Sequence, residues 1–351
     1  MLAATDMLRQ AEPDEEVAFD AGEGGTTFRF LTALAAARTG PTRIFMHERL
    51  RRRPHDPLFE ALRDAGATVE PFATGRGAGI DVRGWQEWPQ VLTVDSSESS
   101  QYASALALLS AGGHGFRLET GGEIASRPYL ELTFEMLEDA GVDVQSRDGS
   151  YQLAPTERLE HACTLLAEAD ASSAAVWRVA EFLGLPVQVA NPPARGWQPD
   201  ERVGEFLDRL RRDAASSEDN TAEFDVGECP DLVPVLTVAA LNVPCAVRFV
   251  GAAHLRHKES NRIDDLIASL GAVGLVAHPL EDGLEVPAGV QRPEDGAIWM
   301  TEGDHRLAFA GALIAALGHE LRIDDPWVVA KSYPEFWHDC RRVGFDVSDN
   351  G

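Results

Sequence analysis

The sequence predicts a layered α/β protein divided into two domains, and three observations carry that prediction. The first is a recurring unit of apolar residues at helical spacing, a glycine, and then a β-prone stretch. It occurs at 57–70 (PLFEALRDAGATVE), 130–144 (LELTFEMLEDAGVDV) and 263–276 (IDDLIASLGAVGLV), with 203–214 (VGEFLDRLRRDA) as a looser member that lacks the glycine exit. Glycine suits the left-handed residue that closes a helix, and the shift in apolar spacing marks the passage from helix to strand. The second is a set of further strand candidates between these units, at 42–46, 90–95, 116–120, 151–154, 245–250 and 320–324. Helices and strands that alternate in this way pack as layers. The third is size: 351 residues, 44% of them apolar, suffice for two cores. A hairpin-like run, VDVQSRDGSYQLA, closes the first part and a new helix-rich segment follows, so the domains are set at 1–165 and 166–351.

Charge narrows the range of partners. Fifty-seven acidic against 31 basic residues give a net charge of -26, which repels nucleic acid and anionic membranes at long range. The sequence has no apolar run of 18 residues and no signal-like leader, so a soluble, cytoplasmic protein is expected. Cys163, Cys229, Cys245 and Cys340 lie far apart with no CxxC pair, which fits neither a zinc spacing nor a disulfide framework. Oligomeric state is not legible, and a monomer is compatible with everything above. An anionic small molecule would need a local cation cluster to overrule the overall field. Lys258 and Lys331 are the only lysines, and arginine supplies the other 29 basic side chains, so the context of each lysine carries information.

Several segments have the chemistry to hold anions. Asp20–Phe30 (DAGEGGTTFRF) is glycine-rich and runs into an apolar helix; its backbone N–H groups and the helix start favour a negative ligand, with Arg29 nearby. It matches neither the dinucleotide GxGxxG pattern nor the GxxxxGK[ST] phosphate loop, so nucleotide chemistry is not indicated. Arg51, Arg52 and Arg53 lie between a strand and a helix that begins near Pro57, where guanidinium groups can grip a carboxylate or phosphate through paired hydrogen bonds. Salt pairing at the surface is the competing explanation for Arg51 and Arg52.

Ser99, Ser100 and Gln101 open one helix, and Ser126 and Tyr129 lie at the start of another, forming a neutral cradle for phosphate and polyol groups; helix capping explains these serines equally well. In His254–Arg262 (HLRHKESNR), Lys258 and Arg262 are four positions apart and Glu259 three from Arg262, so a helical segment would set them on neighbouring faces. Cations beside one carboxylate suit a place where an anion is held and a proton moves, although a solvated ion-pair helix has the same pattern. Asp304-His305-Arg306 precedes an apolar helix, and Lys331 follows a strand and turn. Asp231 stands at a helix entrance, where it is either an N-cap or a base facing a hydroxyl.

Taken together and in order, these segments resemble the enolpyruvyl transferases of the EPSP synthase family. GEGGTTFRFLTA is similar to the family's glycine loop and RRRPHDPLFEALRDAGA to its arginine–proline segment; SSQYASALALLSA, SRPYLELTFEML, EADASSAAVW, CPDLVPVLTVAAL, LRHKESNRIDDL, GDHRLAFAGAL and VAKSYPEFW complete a series over roughly 20–337. The resemblance implies two similar globular lobes of repeated βαβαββ units, joined at a hinge and closing over substrates. It implies transfer of the enolpyruvyl group of phosphoenolpyruvate to the 5-hydroxyl of shikimate 3-phosphate, releasing phosphate, with no metal or organic cofactor. By the same resemblance, Gly25, Arg53, Gln101, Arg262, Arg306 and Lys331 surround phosphoenolpyruvate. Thr26, Ser99, Ser100, Ser126, Tyr129, Asp231 and Lys258 orient shikimate 3-phosphate, while Arg29 belongs to the glycine-loop motif. Asp231 is the candidate base, and Glu259 and Lys331 the candidates for proton transfer at the vinyl carbon, all three in the second lobe.

Three departures accompany the match. The family begins with a lysine–serine segment and a following arginine, and this sequence starts past them, so the resemblance implies an N-terminally incomplete first lobe. Glu23 and His254 each stand where the family has asparagine. A catalytically impaired or inactive ligand-binding paralogue, and a transferase acting on UDP-N-acetylglucosamine, remain the alternative readings.

Overall fold

In a computed structural model, the structure describes residues 2–75, 77–147, 149–156, 168–193, 195–215, 221–258 and 260–348. Glu259 and Cys163 therefore lie outside the described residues. The chain divides into two compact units, Met1–Leu166 and Ala167–Gly351, each with its own hydrophobic core.

The first unit runs α1 (Leu2–Gln10), β1 (Val17–Asp20), α2 (Gly25–Ala36), β2 (Thr42–Met46), α3 (Glu48–Arg51), α4 (Asp56–Asp64), β3 (Thr68–Thr74) and β4 (Gly77–Arg83). It continues with β5 (Val91–Asp95), α5 (Ser100–Ala107), β6 (Phe116–Gly121), α6 (Arg127–Ala140), β7 (Val142–Arg147) and β8 (Ser150–Pro155). Two four-stranded sheets result, ordered β1-β2-β4-β3 and β5-β6-β8-β7. In each, the first two strands are parallel and the last two join antiparallel, so the unit is a βαβαββ motif used twice. The predicted hairpin is β7–β8, in register from Val142 opposite Pro155 to Arg147 opposite Ser150.

The second unit opens with α7 (Ala171–Phe182) and α8 (Val203–Ala214) and then repeats the motif as β9 (Thr221–Asp225), α9 (Val233–Ala240), β10 (Ala246–Val250), α10 (Arg262–Ala272), β11 (His278–Leu280) and β12 (Gly283–Val286). The sheet order is again the same, β9-β10-β12-β11 with β9 and β10 parallel. A parallel pair, β13 (Ala297–Trp299) and β14 (Leu321–Ile323), flanks α11 (His305–Ala316), and α12 (Phe336–Arg342) follows. This is an α/β fold of repeated βαβαββ units.

Sequence chemistry accounts for these elements. The predicted glycine exits are left-handed at Gly66, Gly141 and Gly274, where a side chain would be strained. In the third unit the strand begins at His278 and not directly after Gly274, because the Gln291 side-chain amide already takes both backbone groups of Val276. Helices α5, α9 and α11 are apolar almost all round, and their side chains are correspondingly buried. At the end of β1, β5 and β9 an aspartate accepts a hydrogen bond from the backbone N–H two residues on: Asp20 from Gly22, Asp95 from Ser97 and Asp225 from Gly227. Each such turn leads from a sheet into the next helix. Among the described residues, no helix is long and apolar enough to cross a membrane.

Small residues on the buried helices admit large neighbours. Trp299 is wholly buried, donates its indole N–H to the Leu307 carbonyl and lies against Gly311, where an added Cβ would meet its ring at 2.6 Å. Gly311→Ala is expected to cost about 1–3 kcal/mol through overpacking, read as a lower urea unfolding midpoint at unchanged slope.

Candidate functional site

In the first unit the glycine loop, the arginine–proline segment and the start of α5 meet. Gly25 opens α2, and a Cβ there would lie 2.6 Å from the Arg53 guanidinium, so the absent side chain is what lets that arginine lie along the helix start. Arg51 and Arg52 point elsewhere and pair with Glu48, as the surface-pairing explanation required. Arg29 is 2% exposed. It donates to Gln101 Oε1 at 2.6 Å, to Ser99 Oγ at 3.4 Å and to the Pro54 carbonyl at 2.9 Å, with its guanidinium over the Tyr102 ring. Gln101 passes the contact on to Thr26 Oγ1 at 3.1 Å. Arg29 is thus a buried strut that fixes Gln101, Ser99 and the loop bearing Arg53. Ser99 caps α5 through the Gln101 N–H, so that serine does serve as a cap.

Ser126, buried and in left-handed backbone, precedes α6, and its carbonyl accepts from the Tyr129 N–H. Glu23 lies 3.2 Å from His47 Nδ1, which gives its charge a neighbour other than a ligand.

The second unit gathers its cations around Asp231. Arg262 Nη1 donates to Asp231 Oδ1 at 2.7 Å and Arg306 Nη2 to Oδ2 at 2.6 Å. Arg262 is 1% exposed and also donates through Nε to Asp304 Oδ2 at 2.8 Å, while Asp304, 0% exposed, caps α11 by accepting from the Arg306 N–H at 2.9 Å. Burial pushes the Asp231 carboxyl up, but the charges of Arg306, Arg262 and Lys258, with His305, outweigh it and hold the group ionised well below the usual carboxylate range. Lys331 donates to the Gly303 carbonyl at 2.8 Å, in the turn that leads into Asp304 and contains left-handed Glu302. Burial, reinforced by the Lys258 charge, pushes the His254 imidazole down to about 4, against the opposing pull of Asp231.

Two alternatives that the sequence leaves open are decided by the structure. A 3₁₀ turn covers Ala253–His257 and α10 starts at Arg262, so Lys258 and Arg262 do not belong to one helix. Asp231 is not an N-cap, since no side-chain capping bond forms there and its oxygens are taken by the arginines. Asp304 is the participant missed as a site residue. Its place directly before an apolar helix signals a cap, but nothing in the sequence reveals that the same carboxylate neutralises Arg262.

Residues 3–340 match the family described as EPSP synthase (3-phosphoshikimate 1-carboxyvinyltransferase). The chain belongs to the EPSP synthase family. Among its relatives, the 3-phosphoshikimate 1-carboxyvinyltransferase of Bacteroides fragilis is 32% identical over 364 residues, covering 98% of this chain and 87% of that protein. The protein of the same name from Thermococcus kodakarensis is 34% identical over 334 residues, covering 92% and 80%. The solved EPSP synthase from Acinetobacter baumannii superposes with a TM-score of 0.64 at 22% identity, covering 95% of this chain and 80% of that one, a likeness of fold. Membership in the EPSP synthase family makes the chain a transferase of enolpyruvyl groups. Cys229, Cys245 and Cys340 are buried free thiols, and no cluster of three metal-ligating side chains exists among the described residues.

Removing Asp304 would take from Arg262, which is charged and buried, the carboxylate that its Nε binds. Asp304→Ala is expected to lower unfolding free energy by about 3–5 kcal/mol, measured by denaturant titration. Two histidines set an acid limit. Burial and the Arg29 charge push the His55 imidazole down to about 4, and His254 behaves alike. Since both bind protons less tightly folded than unfolded, their contribution is complete above pH 6.5 and is lost as pH falls toward 4, on the order of 3 kcal/mol each. His55 and His254 ring resonances that titrate near 6.5 in the folded chain would contradict this.

Proposed function

We propose that the chain transfers the enolpyruvyl group of phosphoenolpyruvate to the 5-hydroxyl of shikimate 3-phosphate and releases phosphate. The observation that carries this reading is the convergence of Arg262 and Arg306 on one carboxylate, Asp231, whose ionised form the Lys258 charge also favours, in a protein of net charge -26. Such a concentration of cations is costly unless it serves multiply charged ligands.

In the second unit, Arg262, Arg306 and Lys331 are assigned to the anionic groups of phosphoenolpyruvate, and Lys258 and Asp231 to the acceptor. In the first, Arg53, Gly25 and Gln101 offer a guanidinium, a close-approach backbone and an amide to an anion. Thr26, Ser99, Ser100, Ser126 and Tyr129 offer hydroxyls suited to phosphate and polyol oxygens. Arg29 is assigned to positioning because it is buried and donates to Gln101, Ser99 and the Pro54 carbonyl.

The chemistry follows from these roles. As the acceptor oxygen forms its bond to carbon 2 of phosphoenolpyruvate, its proton passes to Asp231, and carbon 3 takes a proton from Lys331 or Glu259. In the second step carbon 3 returns that proton, the carbon 2–oxygen bond to phosphate breaks, and the departing phosphate takes the proton held by Asp231. The guanidinium groups stabilise charge throughout. Asp231→Ala and Lys331→Ala are each expected to lower turnover by about 10²–10⁴-fold in a phosphate-release assay. The proposal fails if the unaltered chain releases no phosphate with shikimate 3-phosphate, or prefers UDP-N-acetylglucosamine in a parallel assay.

A further inference from the structure

The arrangement around Asp231 poses a chemical problem that the assigned roles do not resolve. A carboxylate clasped by Arg262 at 2.7 Å and Arg306 at 2.6 Å accepts a charged hydrogen bond on each oxygen, so the lone pairs it has left are poor acceptors for a hydroxyl proton. The same two guanidinium groups are the ones assigned to the anion of phosphoenolpyruvate. Carboxylate and ligand anion therefore compete for the charge of the same two guanidinium groups.

We propose that Asp231 is an internal stand-in for the ligand anion, pairing with Arg262 and Arg306 in the empty chain and becoming an effective base for the acceptor hydroxyl when phosphoenolpyruvate draws the charge of those guanidinium groups to itself. This rests on the functional reading above and deepens it. The geometry makes the exchange asymmetric. Arg262 is anchored at its Nε by fully buried Asp304, which also accepts from the Arg306 backbone N–H at the start of α11. The guanidinium of Arg262 thus stays in place when its Nη1 changes partner. Asp231 is free to move by comparison, being 23% exposed and held on a short 3₁₀ turn, Pro230–Leu232.

The exchange has a consequence for catalysis. With its arginines engaged, Asp231 has very little affinity for a proton, because Arg306, Arg262 and Lys258 favour its ionised form. Once an incoming anion neutralises the two guanidinium groups, that bias weakens and the carboxylate can accept the hydroxyl proton. Base strength is thereby supplied only in the complex that can use it.

Calorimetric titration of phosphoenolpyruvate into the unaltered chain and into Asp231→Asn tests this. The amide keeps the shape but surrenders the charge, so Asp231→Asn is expected to bind phosphoenolpyruvate about tenfold more tightly, or better, while losing turnover. Asp231→Glu, which restores a carboxylate, is expected to bring the affinity back toward that of the unaltered chain. A carboxylate that serves only the acceptor would leave phosphoenolpyruvate affinity unchanged on going to asparagine, and that result overturns the inference. Thermal unfolding gives a second reading: ligand-free Asp231→Asn should melt lower than the unaltered chain and gain more on adding phosphoenolpyruvate. Equal melting and equal gain overturn the inference. If neither protein binds phosphoenolpyruvate the inference falls, and phosphate release with both substrates tells whether the functional reading falls with it.

Discussion

Two carboxylates and two guanidinium groups organise the second unit. Asp304 and Arg262 are removed from water almost completely, and an ion pair so placed persists only when every donor and acceptor is matched. The match extends outward: Asp304 caps α11, Arg306 leaves the first turn of that helix, and both arginines end on Asp231. Three elements distant in sequence, the 3₁₀ turn before α9, the start of α10 and the start of α11, are thus tied at one point. The rest of the site inherits its geometry from that knot, Lys331 included, through the Gly303 carbonyl.

The first unit solves the same problem with one buried cation. Arg29 reaches Gln101, Ser99 and the Pro54 carbonyl, and Tyr102 binds that same carbonyl through its hydroxyl. In these contacts the guanidinium meets neutral oxygens. The result is a firm joint between α2, α5 and the segment carrying Arg53, with hydroxyl groups left at its edge.

Much of this was legible in the sequence because repetition and punctuation are local. The glycine exits, the apolar helices and the hairpin all follow from short-range rules, and the positions of β2, β5, β6, β8, β10 and β14 agree with them closely. Ordered motifs also identified the segments that hold the site. What the sequence could not express is which partner a charged side chain chooses. Asp231 beside a helix start reads as a cap, yet two arginines that lie 31 and 75 positions away claim it. Lys258 and Arg262 would be a helical pair if the segment were one helix, yet a 3₁₀ turn ends at His257 and α10 begins only at Arg262. Arg29 reads as a ligand contact, and only packing reveals that its donors face inward.

The aspartate turns that end β1, β5 and β9 give the architecture a further property. Each is closed by a side chain and a backbone amide within two residues, without help from whatever the following loop displays. One such loop displays glycines, another serines and an amide, the third an acid, and the joint beneath them is the same. Frame and cargo are mechanically insulated from each other. A lineage built on this scaffold can therefore rewrite what it recognises, one loop at a time, while the hinge of each layer goes on folding as before.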